Sequence, residues 1–439
     1  MSEEHRKLKG RVVYRGDITR GQDGTLAVFQ ELGASPTSIH SANHNLAYGL
    51  IPGNKTSQAD AIKAYVQSNL KSKHRTWIAL PRELWPDSWK AKGYKRPMVL
   101  LVKSLYGHPE SGGHWENHLT AVVKAMGGEP LMEHPSSFWF PKLGLLLIVY
   151  VDDLLLSGPA GQHEAFWSLL GKKIDIEPPQ DLERFLGRHH DVVELDGAPA
   201  LAFNMQDYVG QAVDKYLAAT GHTKLKSAST PFVPEGSLVY SDDEVRGELA
   251  GEACGILMKD LWLARLARPD VLKPICDLAA KVQSWTRNHD RMLHRLMCYL
   301  DSTPHYRLVG KVRDALGELS LKLFVDADFG GDREDVKSTS GGYLVLVGPN
   351  TFFPLAWVAK RQTSVSRSST EAEVIALAYS LFAEAIPAMQ LWDKLLGRPV
   401  ELVIMEDNEA TIRVVNKGAS QKLRHIQRTH KINLWSIRG

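Results

Sequence analysis

Acids that close apolar runs are the residues in this sequence best placed to do chemistry. The run Leu145-Leu146-Leu147-Ile148-Val149-Tyr150-Val151-Asp152-Asp153-Leu154-Leu155-Leu156 reads as strand, tight turn, strand, with both arms apolar enough for burial. A carboxylate lodged there is costly unless it is paired, protonated or bound to a cation. Aspartate is also a common turn residue, so this segment alone is read most simply as a hairpin turning on Asp-Asp. A second set of acids is dispersed over the last third. It comprises Asp326 in Phe324-Val325-Asp326-Ala327-Asp328, Glu373 in Ser368-Ser369-Thr370-Glu371-Ala372-Glu373, and Glu406-Asp407 after Val403-Ile404-Met405. Ser369 or Thr370 can cap a helix with Glu373 in its first turn, where a carboxylate also favours the helix dipole, and capping alone would explain that glutamate.

Periodicity indicates the elements that carry these acids. Leu319, Leu321, Leu323 and Val325 alternate with polar residues as on a strand. The last 120 residues read as a strand (319–326), a hairpin (343–347 and 352–359) turned by Gly348-Pro349-Asn350, a helix (370–396), a strand (400–405), a helix (408–416) and a terminal helix. That order suggests a compact α/β domain. Pro387 should kink or divide the long helix. Apolar spacings of three and four, as in Leu293, Leu296 and Leu300, predict helices between about 247 and 300. Boundary signals lie at Ser157-Gly158-Pro159-Ala160-Gly161 and from Thr230-Pro231 to Gly236.

A chain of 439 residues predicts two to four domains. The composition (44% hydrophobic, 23% charged) is that of a globular protein, and the net charge of +3 permits a nucleic-acid partner without requiring one. Three scattered cysteines offer neither a disulfide framework nor a zinc spacing. His425 and His430 have no metal-ligand spacing with a cysteine or carboxylate. The charged start of the chain is not a signal peptide, and the longest apolar run, Leu143 to Leu156, is interrupted by acids and too short for a bilayer. The expectation is an intracellular protein, cytoplasmic or nuclear, with no targeting segment and no membrane.

The surroundings of Asp152-Asp153 add weight to that pair. Upstream stand Gln58-Ala59-Asp60-Ala61-Ile62-Lys63-Ala64-Tyr65-Val66, then Lys103-Ser104-Leu105-Tyr106-Gly107-His108-Pro109-Glu110 and Trp115; downstream stands Phe185-Leu186-Gly187. In this order the motifs resemble the reverse transcriptase of copia-type retrotransposons. The resemblance implies an α+β multidomain fold: a right-hand polymerase of palm, fingers and thumb, followed by an α/β ribonuclease H-like domain. Its divisions would be 1–160 (fingers and palm), 161–240 (remaining palm and thumb), 241–315 (helical connection) and 316–439. It implies that Asp60, Asp152 and Asp153 hold two Mg2+ ions (Mn2+ being the alternative) for transfer of a nucleotide onto a primer. Tyr65, Arg11 and Gly107 would meet the substrate, Tyr65 under the incoming sugar and Arg11 at the triphosphate. From the residues alone, Tyr65 reads equally as a core aromatic and Arg11 as a surface charge. The implied partners are an RNA template, a DNA primer, the RNA–DNA hybrid and deoxynucleoside triphosphates, in a cytoplasmic particle or the nucleus. Glu110 stands where the family usually has glutamine, and an acid there should repel a triphosphate unless it is neutral or faces away.

The dispersed acids, with Lys337-Ser338-Thr339-Ser340-Gly341, likewise resemble the copia-type ribonuclease H domain over roughly residues 319–433. Asp326, Glu373 and Asp407 would converge on two metal ions and cut the RNA strand of a hybrid. The family's fourth acid comes from a terminal helix, where this chain offers Asn433 or, in a shifted alignment, Gln427. From Ala410 to Gly439 there is no acid, and seven lysines and arginines occupy the stretch. The expectation is an intact polymerase set beside a weak or inactive nuclease. The alternative is a non-catalytic retrotransposon remnant that at most binds nucleic acid.

Overall fold

The computed structural model describes residues 12–21, 23–27, 35–234, 236–331 and 335–438. Arg11 lies outside the described residues. Two compact units emerge from the contacts: Met1–Ser38 with Ser57–Asp181, and Ile39–Thr56 with Leu182–Gly439. In chain order the main elements begin with α1 (Ile39–Gly49), β1 (Asn54–Asp60), α2 (Ser111–Ala125), β2 (Ser137–Phe140), β3 (Leu145–Tyr150), β4 (Asp153–Pro159) and α3 (His163–Gly171). They continue with β5 (Arg188–Leu195), β6 (Ala198–Asn204), α4 (Gln206–Thr220), α5 (Ala253–Leu266), α6 (Leu272–Ala279) and α7 (Arg287–Ser302). The last are β7 (Ser320–Ala327), β8 (Thr339–Gly348), β9 (Thr351–Arg361), α8 (Ser369–Ser380), α9 (Ile386–Leu396), β10 (Leu402–Met405) and α10 (Glu409–Lys417).

The first unit is built on a six-stranded sheet in the order Glu129–Pro130, β2, β3, β4, β1, Gln180–Asp181. The apolar run forms the hairpin its composition predicts, β3 pairing with β4 from Leu146↔Ser157 to Tyr150↔Asp153. Leu145, Leu147, Val149, Leu154 and Leu156 form a core with Trp115, Leu119 and Val123 of α2 and Phe166, Trp167 and Leu170 of α3. Leu146, Ile148 and Leu155 point the other way and are also buried, which is why the run shows no alternation. Ser157-Gly158-Pro159 is no linker; it completes β4. Gly158 has φ 143°, and a Cβ there would collide with the Gly144 carbonyl, so this glycine serves a close strand approach.

The second unit contains two four-stranded sheets. One runs Leu308–Gly310, β6, β5, Arg184–Phe185; the other runs β9, β8, β7, β10, with β10 parallel to β7. Leu321, Leu323 and Val325 are buried on one face of β7, as their alternation predicts, while Phe324 and Asp326 face outward. The 247–300 region is helical in three pieces, α5, α6 and α7. Helix α1 belongs to this unit and is buried almost throughout despite the polar run Asn43-His44-Asn45. Its polar groups are paired: Asn43 Nδ2 donates to the Leu355 carbonyl at 3.0 Å, and Trp392 Nε1 donates to His44 Nδ1 at 2.9 Å. The wholly buried Arg188 donates to Asn43 Oδ1 and to the Leu266 carbonyl.

The expected long helix is divided. A π-helical turn, Leu381–Ala385, joins α8 to α9, and Pro387 falls in the first turn of α9, where its missing N–H costs least. This Ser369–Leu396 run is, among the described residues, the one helix long and apolar enough to cross a membrane (mean hydropathy 1.5). Here Ala372 to Ala378 are buried, with α8 packed on β7 and β8.

Ser368, one residue earlier than expected, caps α8: its extended backbone lets its hydroxyl accept from the Glu371 N–H at 3.2 Å. Ser368→Ala is expected to cost about 1 kcal/mol, read as a lower denaturation midpoint. The strand expected from 400 begins at Leu402 because the Val400 N–H is taken by Asp393 Oδ1 at 2.7 Å. The single terminal helix is replaced by two short ones, Ile426–Thr429 and Leu434–Arg438, separated by Lys431 at φ 60°.

Candidate metal centres

The first centre lies at the β3–β4 turn. Val151, a β-branched residue, is held at φ 60°, a conformation that costs about 1–3 kcal/mol and persists only when its surroundings enforce it. Two hydrogen bonds do so. The Trp115 Nε1–H of α2 donates to the Val151 carbonyl at 2.6 Å, and the Ala61 N–H donates to the Asp152 carbonyl at 2.8 Å. The second bond joins the turn to the end of β1, where Asp60 stands. Burial pushes the Asp153 carboxyl up to about 6, with Asp60 and then Asp152 adding repulsion. Three carboxylates from two chain segments therefore crowd one turn.

Tyr65 is half-buried near this turn. Its phenol is raised by burial first and then by the charges of Asp152 and Tyr106, and its ring lies 4.6 Å from that of Tyr106. Gly107 is placed against the backbone of Tyr14: at φ 87°, a Cβ there would collide with the Tyr14 carbonyl. Glu110 is turned inward, only 5% exposed, with one carboxylate oxygen 3.7 Å from His114 Nε2. The repulsion expected of it thus has no exposed charge behind it. Phe185-Leu186-Gly187, in the second unit, turns the Arg184–Phe185 strand into β5 through two left-handed residues, Leu186 and Gly187.

The second centre is assembled by the parallel pairing of β7 and β10. The register Phe324↔Met405 sets the ends of both strands side by side, and Asp326 and Asp407 follow two residues later. Glu373 comes from the first turns of α8. Ligand oxygens of Asp326, Glu373 and Asp407 all lie within 4.8 Å of one another, which among the described residues is the one triad of potential ligands at that spacing. Burial raises the Glu373 carboxyl to about 7, followed by the charges of Glu406, Asp326 and Asp407, while a hydrogen bond from the Ala327 backbone opposes the shift.

Glu406 is the site residue that sequence reasoning left unassigned. Its carboxyl is raised by burial and by Asp407 and Asp326, and one oxygen accepts from the Asn408 N–H at 3.0 Å. Alternation would send adjacent residues to opposite faces, but β10 ends at Met405, so Glu406 and Asp407 both address the cluster. Asp328, by contrast, is turned away, accepting from the Thr339 N–H and pairing with Lys273 at 3.4 Å. The Asn433 side chain accepts from the Trp435 N–H at 3.0 Å, as a cap to the terminal helix.

These donors are all carboxylate oxygens, the set that suits a hard divalent cation. Glu373 Oε2 and Glu406 Oε2 are shielded from solvent without a hydrogen-bond partner, and a bound ion would satisfy them.

No family model matches the chain. It is 30% identical over 279 residues to the "Retrovirus-related Pol polyprotein from transposon RE1" of Arabidopsis thaliana, a match covering 62% of this chain and 18% of that protein. It is 24% identical over 303 residues to the corresponding polyprotein "from transposon TNT 1-94" of Nicotiana tabacum, covering 66% and 22%. With the "Transposon Ty1-GR2 Gag-Pol polyprotein" of Saccharomyces cerevisiae it shares 22% identity over 435 residues, covering 95% and 23%. The chain spans about a fifth of the length of these curated relatives. It is a homologue of the Pol polyproteins of copia-type retrotransposons, matched to one segment of them.

Proposed function

We propose that this chain is an RNA-directed DNA polymerase fused to a ribonuclease H-like domain. In this reading the six-stranded unit is the palm, and Asp60, Asp152 and Asp153 bind two divalent ions that activate the primer hydroxyl and hold the incoming triphosphate. The observation that carries the proposal is the Asp153 carboxyl, pushed up to about 6 by burial beside Asp60 and Asp152 on a turn that other residues hold in a strained form. Such repulsion is relieved by cations, and functional sites are where it is retained. Asp326, Glu373 and Asp407 form the nuclease centre, which acts on the RNA strand of a hybrid. The inward-facing Glu110 removes one support for a non-catalytic remnant.

The test is primer extension on poly(rA)–oligo(dT) by the purified chain with Mg2+, before and after chelation. Mg2+-dependent extension is expected. Hybrid binding without extension under any divalent ion would leave the remnant reading in its place.

A further inference from the structure

Four carboxylates, rather than three, meet where β7 and β10 end. We propose that Glu406 is a direct ligand of the divalent ions held by Asp326, Glu373 and Asp407, supplying the acid that the terminal segment lacks. The inference rests on reading this centre as a metal-dependent hydrolase.

Three observations carry it. First, Glu373 is only 6% exposed and Glu406 Oε2 is shielded from solvent, yet neither Glu373 Oε2 nor Glu406 Oε2 has a hydrogen-bond partner. Two neighbouring carboxyls kept neutral by protonation would be expected to donate hydrogen bonds to acceptors nearby, and neither oxygen does so. An ion is the remaining way to satisfy both. Second, the Asn408 N–H fixes the other Glu406 oxygen, so the side chain is oriented before any ion arrives. Third, no lysine, arginine or histidine among the described residues pairs with any of the four acids within 4.0 Å. The basic groups nearby are engaged elsewhere: Lys273 with Asp277 and Asp328, Arg361 with Asp335, and His425 with Glu371.

Charge points the same way. Asp326, Glu373, Glu406 and Asp407 together carry −4 when ionised, which two divalent ions balance. The fourth carboxylate then comes from the strand end beside Asp407 instead of from the Asn433 region, which has no acid to offer.

The experiment is Mn2+ titration of the full chain, with bound ions counted by electron paramagnetic resonance. An Asp152→Asn, Asp153→Asn background silences the first centre. Adding Glu406→Gln is expected to weaken Mn2+ binding by about tenfold or more and to remove one bound ion, while Glu406→Asp retains more affinity than Glu406→Gln. Melting without metal checks folding, and Glu406→Gln should melt no lower than its parent because a buried, unpartnered charge has been removed. Unchanged affinity and count in Glu406→Gln, with loss in Asp407→Asn, would overturn the role of Glu406 and leave the centre standing. Absence of Mn2+ binding before any change at the second centre would overturn both.

Discussion

Asp153→Asn is expected to lower Mg2+-dependent primer extension by on the order of a hundredfold or more while raising the melting temperature of the metal-free protein. Both effects have one cause. The Asp153 carboxyl is held up at about 6 by burial and by Asp60 and Asp152, against an ordinary value of 3.8. A carboxyl raised in the folded state contributes stability that is fully present below 3.8 and lost as pH rises through about 6. At pH 7.5 without metal, the wild type therefore carries a penalty that the amide does not. Discounted for the exposed part of the group, that penalty is roughly 1–2 kcal/mol. Saturating Mg2+ should shrink the difference, since the ion stabilises the carboxylate and not the amide. Parallel extension assays and thermal melts in EDTA and in Mg2+ check this. A variant that extends normally, or that melts lower than wild type in EDTA, would show that Asp153 is an ordinary turn residue.

Asp260→Asn is expected to stabilise the protein by about 2 kcal/mol at pH 8 and by little at pH 5. Asp260 lies in α5 with no exposed surface, and neither of its carboxylate oxygens has a hydrogen-bond partner. Burial pushes its carboxyl up to about 7; Lys215 and Lys259 oppose the shift from a distance. Both lysines are occupied, Lys215 by the Gly255 carbonyl and Lys259 over the Tyr208 ring at 4.2 Å. The favourable contribution is complete below 3.8 and disappears as pH rises through about 7, a span of roughly 4 kcal/mol. The amide recovers only part of this because it too is buried without partners. Denaturant midpoints of both proteins at pH 5 and pH 8 measure the effect. An equal shift at the two pH values would rule out ionisation of Asp260 as its source.

The sequence made some of this structure legible and concealed the rest for physical reasons. The β3–β4 hairpin was readable because both faces of its strands are buried, leaving an unbroken apolar run around two acids. The strand β7 was readable from alternation, and the three nuclease acids from resemblance, which their convergence within 4.8 Å accompanies. Glu406 was hidden because alternation assigns neighbours to opposite faces, and only the observed end of β10 cancels that rule. The cap at Ser368 depends on backbone angles that composition does not carry. Ser157-Gly158-Pro159 has the residues of a linker, yet its glycine answers a contact with Gly144, 14 residues earlier in the chain. The burial of α1 was the least visible of all, since Asn43, His44 and Asn45 look like surface residues until partners some 300 positions away are known.

That placement of α1 has a consequence for how the protein can be made. The Asn43 side chain reaches a carbonyl 312 positions further along the chain. A ribosome adding about 5–20 residues per second needs roughly 15–60 s to deliver that partner. Throughout this interval a helix destined for the interior waits exposed, and the second unit has no complete core to fold around. A nascent chain interrupted before β9 would therefore be a substrate for chaperones and proteases. A gene fragment beginning at Leu182 would encode the second unit with a piece of its own interior removed.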